Sequence, residues 1–438
     1  MGGHVKGYSE MTISKKDYRR KSIDGKTLKP ETLMMGYGYD PMLSEGSLKP
    51  PIFMTSTFVF ETAEDGKDFF ALAYGKRSAY EGEKPGLIYS RINNPNLEVL
   101  EDRLAIWEGA EKALTFSSGM AAISTSLWSH LRPGDVIIHS APIYGGSEYL
   151  IRNILPEFGV SSIEFEAGGE THTLPSIENA TKKGRVSVIF AETPANPTNA
   201  LIDLKACVAM ANELEKVTGH RPVVIVDNTF LGPLWQKPLE LGVDLVIYSL
   251  TKYIAGHSDV VAGAVCGNAD KLAPVHGFRT ILGTMCDPHT GWLIMRSMET
   301  LKLRMTASNQ NAAIIADYLN AHEKIEKVYY LGYLTEKDAS YSVYKEQCRA
   351  PGSTFAFDVK GGEAEAFKVL NSLQFIKLAV SLGGTESLIE HPFAMTHADV
   401  PDDVKMRQGI TPSMIRISIG IEDPEDLIAD LKQALSKI

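Results

Sequence analysis

The sequence predicts an α/β fold: a mostly parallel large-domain sheet sandwiched by helices, followed by a smaller C-terminal α/β domain. Three observations predict it. Short, almost continuously apolar runs recur between about residues 94 and 270, as strands covered on both faces do. Helix-length segments separate these runs, which parallel pairing requires. Four of the runs end in polar residues, the pattern of a sheet whose carboxyl-terminal edge carries a site.

Along the chain, the first ninety residues are rich in Gly, Pro and Ser and poor in periodicity. They read either as a loose tail or as an arm that docks on another subunit. Met1 to Pro30 carries eight Lys/Arg against three Asp/Glu and lacks the apolar stretch of a signal peptide. Lys6 stands where a myristoylation signal needs Ser or Thr. Strands are expected at Lys112–Phe116, Val136–His139, Val186–Ala191, Val223–Val226, Leu245–Tyr248 and Val261–Cys266. Between them, Asp203–Lys216 carries Leu204, Val208, Ala211 and Leu214 at helical spacing. Beyond Leu301 a helix over Ala307–Asn320 leads to strands at Phe355–Val359 and Ile415–Ile419, with helices at Ala364–Leu373 and Pro424–Leu435. The expected division is an N-terminal extension and arm at 1–93, a large α/β domain at 94–303 and a C-terminal α/β domain at 304–438.

Composition narrows the function. The chain has 438 residues, 44% hydrophobic and 22% charged, enough for a large core and too long for one compact domain. Its net charge of −10 argues against nucleic acid and anionic membrane as partners. No run approaches the ~18 apolar residues of a membrane span. Cys207, Cys266, Cys286 and Cys348 are far apart and form no CxxC pair, which fits a reducing, cytoplasmic setting without disulfides or structural zinc. His391 and His397, six apart, do not share a helical face, so no metal site is expected.

The strand exits carry the candidate chemistry. Ser117-Ser118-Gly119-Met120 follows the first strand and opens a helix, the form of a phosphate cradle, although an ordinary serine N-cap has the same appearance. Ser249 and Thr251 add hydroxyls at a second exit, and Lys252 beside them is either a surface lysine or a Schiff-base lysine. Asp227 ends the apolar run Val223-Val224-Ile225-Val226; it caps a loop or pairs with a buried cation such as a protonated ring nitrogen. Glu192 to Pro197 forms a third exit. Tyr144, before Gly145-Gly146, is either a turn aromatic or a ring that stacks on a flat cofactor and acts as a base.

In these residues the sequence resembles the Cys/Met-metabolism (trans-sulfuration) family of PLP-dependent enzymes. The resemblance runs from about Thr32 to the C-terminus. It rests on Asp244-Leu-Val-Ile-Tyr-Ser-Leu-Thr-Lys252-Tyr-Ile-Ala-Gly-His257, on Tyr89-Ser90-Arg91 with Asn94-Pro95, on Glu192-Thr-Pro-Ala-Asn196-Pro197-Thr198, and on Ser381-Leu-Gly-Gly-Thr-Glu-Ser387. It implies the PLP-dependent transferase-like fold (aspartate aminotransferase fold type I) and pyridoxal 5'-phosphate as cofactor. It implies that Lys252 forms the Schiff base and moves protons, that Asp227 pairs with the pyridinium, and that Gly119, Met120, Ser249 and Thr251 hold the phosphate with Ser118 beside them. By the same resemblance Tyr144 stacks on the ring, Asn196 approaches the ring hydroxyl, and Arg416 clamps the substrate carboxylate with Ser381 beside it. Tyr89 and Arg91 would reach the phosphate of a neighbouring subunit, making a homodimer with shared sites, and a homotetramer is implied.

Reaction type is less well marked. Val380 precedes Ser381 where cystathionine γ-synthases and γ-lyases commonly carry Glu, an apolar choice that resembles methionine γ-lyase. Methionine γ-lyases, however, carry a cysteine where this chain has Gly146. The expected activity is a carbon–sulfur lyase acting at Cβ or Cγ of a sulfur amino acid, with γ-replacement on an activated homoserine as the alternative. The stretch Phe70–Gly86, carrying Lys76, Arg77, Glu81, Glu83 and Lys84, is longer than usual, either as part of a neighbouring site's mouth or as a surface loop.

Overall fold

The computed structural model describes residues 17–73, 75–80, 86–167 and 174–438. Among these residues seven strands form the larger sheet: β1 (Lys112–Phe116), β2 (Asp135–Ala141), β3 (Ser161–Glu166), β4 (Arg185–Glu192), β5 (Val223–Asp227), β6 (Leu245–Ser249) and β7 (Gly263–Gly267). Their spatial order is β1-β7-β6-β5-β4-β2-β3. Only β7 runs against its neighbours, β1 and β6. The other pairs are parallel.

The continuous apolarity of these strands has a simple cause. On β5, Val224 and Val226 enter the core on one face, while Val223 and Ile225 enter the core on the other. Val246 and Tyr248 of β6 divide from Leu245 and Ile247 in the same way. A period of two with both faces covered leaves no polar position. Helices pack outside, each with a local start signal: Asn94 accepts from the Asn96 N–H ahead of Pro95–Glu108, and Asp203 accepts from the Ala206 N–H ahead of Leu204–Thr218.

The second sheet holds β8 (Ile325–Tyr329), β9 (Thr354–Val359), β10 (Lys377–Leu378), β11 (Leu388–Glu390) and β12 (Met414–Ser418), ordered β8-β9-β12-β11-β10. The helices Leu301–Asn320, Glu363–Ser372 and Pro424–Leu435 contribute Ile315, Leu319, Val369, Leu427 and Leu431 to a core with this sheet. A boundary at 303/304 falls inside the first of those helices, whose Leu301 and Met305 join the large-domain core and whose Ile315 and Leu319 join the small-domain core.

Several expectations shift. Val261 lies outside β7 and is exposed. β3 escapes a search for apolar runs because it is an edge strand reading Ser-Ser-Ile-Glu-Phe-Glu with one fully buried residue. The N-terminal segment is not uniformly a tail or an arm: Leu33, Met34 and Tyr39 are buried in this chain's own large core. Met54 and Val59 are exposed, and the helix Ala63–Ala73 buries none of its residues. Following that helix, Arg77 donates to Asp68 and lies over the Tyr80 ring, whereas Glu81, Glu83 and Lys84 lie outside the described residues. Among the described residues no helix is long and apolar enough to cross a membrane.

Candidate active site

Because β1, β2, β4, β5 and β6 run in one direction, their carboxyl ends share an edge, and a cavity of about 380 Å³ opens there. That size suits a small ligand. Ser118, Gly119, Met120, Tyr144, Asn196, Asp227, Ser249, Thr251, Lys252, Ser381 and Arg416 all line it. Two residues of the expected set do not. Tyr89 is partly exposed, and Arg91 stacks over the Tyr89 ring at 5.6 Å while donating to the Thr280 carbonyl.

The floor of the cavity is set by close backbone packing. Phe116 at the end of β1 and Ser249 at the end of β6 both register with Gly263, the first residue of β7. A Cβ on Gly263 would sit 2.2 Å from the Ser118 carbonyl oxygen and 2.9 Å from the Gly119 nitrogen. A Cβ on Gly119 would meet the Ser249 Cβ at 3.0 Å. Glycine at both places lets the start of the helix Gly119–His130 approach Ser249 and Thr251. Ser118 is also that helix's N-cap, accepting from the Ala121 N–H, so the bland reading of this serine holds beside the functional one. Helix-start N–H groups and two hydroxyls gathered in one cleft form an anion site.

Asp227 lies next along the edge. Its Oδ1 accepts from both the backbone N–H and the hydroxyl of Thr229, at 3.0 and 2.6 Å, and the Thr229 hydroxyl oxygen in turn accepts the Ser249 N–H at 2.9 Å. The exits of β5 and β6 are thereby tied together. Burial raises the Asp227 carboxyl to about 6, and the Thr229 bonds pull the other way. Glu192, also lining the cavity, accepts from the backbone N–H groups of Tyr144 (2.8 Å) and Asn196 (2.9 Å). Burial, and then the charge of Asp227, push its carboxyl up to about 8. Two buried carboxyls side by side favour a positively charged group between or beside them.

Lys252 follows β6, and its Nζ donates to Ser381 Oγ at 3.0 Å. Desolvation, then the positive charge of Arg416, lower the ammonium to about 8, while Glu390 opposes them. The result is an amine readily available as a nucleophile and base. Arg416, on β12, is buried. Its Nη1 donates to Asn196 Oδ1 (3.0 Å) and pairs with Glu390 (2.7 Å), and its Nη2 donates to the carbonyls of Val380 and Ser381, both at 3.1 Å. Tyr144 projects at the rim with 43% of its surface exposed.

Sequence reasoning missed Gly263, Thr229 and Glu390 as parts of the site and treated Glu192 only as a strand exit. Thr229 had a signal, since Asp227-Asn228-Thr229 follows a strand. Gly263 had none, because its role depends on an antiparallel neighbour. Elsewhere, His391 is buried with its Nε2 at 2.8 Å from the Pro412 carbonyl, and His257 Nδ1 sits 2.6 Å from the Ala255 carbonyl. No group of metal-ligating side chains occurs among the described residues.

An anion cradle, a buried carboxylate and a low-pKa lysine on one sheet edge fit the phosphate, ring nitrogen and aldehyde of pyridoxal 5'-phosphate. They define a PLP-dependent α/β enzyme. The chain belongs to the Cys/Met metabolism PLP-dependent enzyme family, whose model matches residues 31–436. It is 41% identical over 396 residues to the L-methionine gamma-lyase of Fusobacterium nucleatum subsp. nucleatum, covering 90% of this chain and 94% of that one. It is 36% identical over 395 residues to a cystathionine beta-lyase of Lactococcus lactis subsp. cremoris, covering 90% and 95%. Among solved structures it resembles cystathionine gamma synthase from Xanthomonas oryzae pv. oryzae, with a TM-score of 0.82 at 33% identity over 94% of this chain and 98% of that one.

Proposed function

We propose that this PLP-dependent carbon–sulfur lyase of the trans-sulfuration family acts chiefly by γ-elimination on methionine or a similar apolar thioether amino acid. The observation that carries the reading is the apolar share of the cavity wall: Val380 and Leu382, which flank Ser381 in sequence, line the cavity together with Val261, Ile123 and Phe230, and Val380 and Val261 are 56% and 64% exposed. Both carboxyls of the lining, Glu192 and Asp227, accept hydrogen bonds from neighbouring residues. A thioether with a methyl end suits that wall better than the distal ammonium and carboxylate of cystathionine. The 41% identity to a protein named methionine gamma-lyase supports the same choice.

In this reading Ser118, Gly119, Met120, Ser249 and Thr251 hold the phosphate, Asp227 pairs with the ring nitrogen, Tyr144 lies against the ring and Asn196 approaches its hydroxyl. When bound, the cofactor supplies an electron sink for negative charge developing at Cα of the amino acid. Arg416 receives the α-carboxylate, and Ser381 keeps Lys252 Nζ facing the substrate. Lys252 takes the proton from Cα and, once it has handed that proton on to the cofactor it would hold and is neutral again, serves at Cβ, the second deprotonation that departure of sulfur from Cγ requires. Tyr144 is the candidate acid for the leaving thiolate.

Tyr89 and Arg91 would serve a second subunit, since they lie outside the lining of their own chain's cavity; this makes a homodimer, and by resemblance a homotetramer, part of the proposal. A cytoplasmic setting belongs to it too. One panel tests the activity: pure holoenzyme with methionine, cystathionine, cysteine and acylated homoserines, with the oxoacid identified. We expect 2-oxobutyrate from methionine. Pyruvate from cystathionine as the main product would make it a β-lyase. Turnover only of an activated homoserine with a thiol would make it a γ-replacement enzyme, the reading that the likeness to cystathionine gamma synthase favours.

A further inference from the structure

Glu390 has no assigned part in this chemistry, yet it forms an ion pair with the carboxylate clamp, Arg416. It sits on β11 directly opposite Arg416 of β12, with no exposed surface, and the two side chains pair at 2.7 Å. Its Oε1 also accepts from the Thr396 hydroxyl at 3.0 Å, while its buried Oε2 has no hydrogen-bond partner. On the clamp itself, Nη2 is divided between two carbonyls, Nη1 serves both Asn196 and Glu390, and the buried Nε is without a partner. An incoming carboxylate therefore meets a guanidinium whose charge is already balanced by a carboxylate 2.7 Å away.

We propose that Glu390 is a positioning residue that sets the strength of the Arg416 clamp: it holds the guanidinium in the free enzyme and competes with the substrate carboxylate for it. The inference rests on the reading of Arg416 as the site for the α-carboxylate. A buried Arg416 without Glu390 is an uncompensated cation, which favours any small carboxylate that enters. With Glu390 in place, substrate binding brings a second carboxylate to one guanidinium, so binding is weaker and release easier. The same charge reaches Lys252, where Glu390 favours the protonated amine and Arg416 opposes it. Burial raises the Glu390 carboxyl, and the charged groups that oppose this among the described residues are Arg416, which pairs with it, and Lys252. His397, which contacts Thr396, stays uncharged because burial lowers it to about 4.

The test compares wild-type, Glu390→Gln, Glu390→Asp and Arg416→Lys holoenzymes. Norleucine, a methionine analogue without a leaving sulfur, is titrated by the change in visible absorbance, and the absorbance of the free holoenzyme is titrated against pH. Glu390→Gln is expected to bind norleucine roughly tenfold more tightly and to move the absorbance transition to lower pH by about one unit, the scale of one close charge. KM for the substrate falls while kcat changes less. If Glu390→Gln melts too low to assay, Glu390→Asp carries the test: its shorter side chain loosens the pair and should tighten norleucine about threefold. Unchanged or weaker norleucine binding in a folded Glu390 variant overturns the proposal. Norleucine binding indifferent to Arg416→Lys would instead overturn the clamp reading on which it rests.

Discussion

The two sides of the cavity are built by different means. The floor, from Ser118 to Lys252, comes from adjacent strand exits, and its parts are fixed by backbone. Gly119 and Gly263 leave no room for a Cβ, and the Thr229 hydroxyl ties Asp227 to Ser249. The rim, made of Tyr144, Val261 and Val380, comes from three loops, and each of these side chains is at least 43% exposed. A rigid floor suits a permanent cofactor, whose chemistry is common to many reactions. A loop-built rim can change residue by residue without disturbing the sheet, which is where a family varies its substrates. The contrast teaches that substitutions in the floor should cost all activity, whereas substitutions in the rim should redistribute it.

The largest effect is expected at the floor's one covalent candidate. Lys252→Ala should remove the visible absorbance band of the lysine-linked cofactor and lower turnover by roughly 10⁴-fold, the upper range for loss of a positioned acid–base group. In the wild type, capture of added pyridoxal phosphate by cofactor-free protein requires the neutral amine. With the ammonium lowered from 10.5 to about 8, the deprotonated fraction rises with pH. The capture rate should therefore climb from pH 6 to a midpoint near 8 and level off above about 9, about 2.5 units earlier than for a free lysine. A midpoint near 10 by stopped-flow absorbance would show that burial and Arg416 do not act on this amine.

The next test asks whether the floor is held by backbone. Gly263→Ala introduces a methyl that would lie 2.2 Å from the Ser118 carbonyl oxygen, so either β7 or the start of the helix Gly119–His130 must move. Cofactor affinity should fall about 100-fold, equivalent to roughly 3 kcal/mol, with a smaller change in melting temperature of the cofactor-free protein. A loss of folding free energy in the cofactor-free protein as large as the loss in binding free energy would mean that the glycine serves folding and has no particular bearing on the cradle.

This division also explains what the sequence disclosed. The floor was legible because strand exits follow apolar runs that are easy to see, and each of Ser118, Asp227, Ser249 and Lys252 sits at or within a few residues of such an end. Gly263 was not legible: its requirement arises from the neighbour across the sheet, and β7 alone runs backwards. Glu390 was hidden for a similar reason, since β11 has only three residues and its pairing with Arg416 is a register fact. The arm was only half legible. Leu33 and Met34 lie in a segment of weak periodicity, yet both are buried against the chain's own large domain.

At the rim, Val380→Glu should change preference and spare the cofactor. The side chain is 56% exposed, so a carboxylate there keeps water and does not need a buried partner. It offers a counter-charge to a distal ammonium and a poor surface to a methyl thioether. The ratio of kcat/KM for cystathionine over methionine should rise roughly 10- to 100-fold, with an unchanged absorbance spectrum. A ratio that stays constant would move the specificity determinant away from this wall.

The smallest effect belongs to Gly146, where the rim touches the floor. A Cβ there would come 2.8 Å from Cε1 of the Tyr144 ring and 3.1 Å from Met120 Sδ. The backbone at Gly146 is helical, part of the turn Gly145–Tyr149, so no unusual φ stands in the way of a side chain. What must yield is the half-exposed Tyr144 ring, which can swing outward because its backbone, held by Glu192, can stay in place. Gly146→Cys should thus fold and keep its cofactor, while the tyrosine hydroxyl shifts relative to the substrate's sulfur. A drop of about three- to tenfold in kcat with little change in KM is expected, the signature of a displaced proton donor. If KM rises alone, the added thiol is filling substrate space, and Tyr144 would be better understood as a wall of the rim than as an acid.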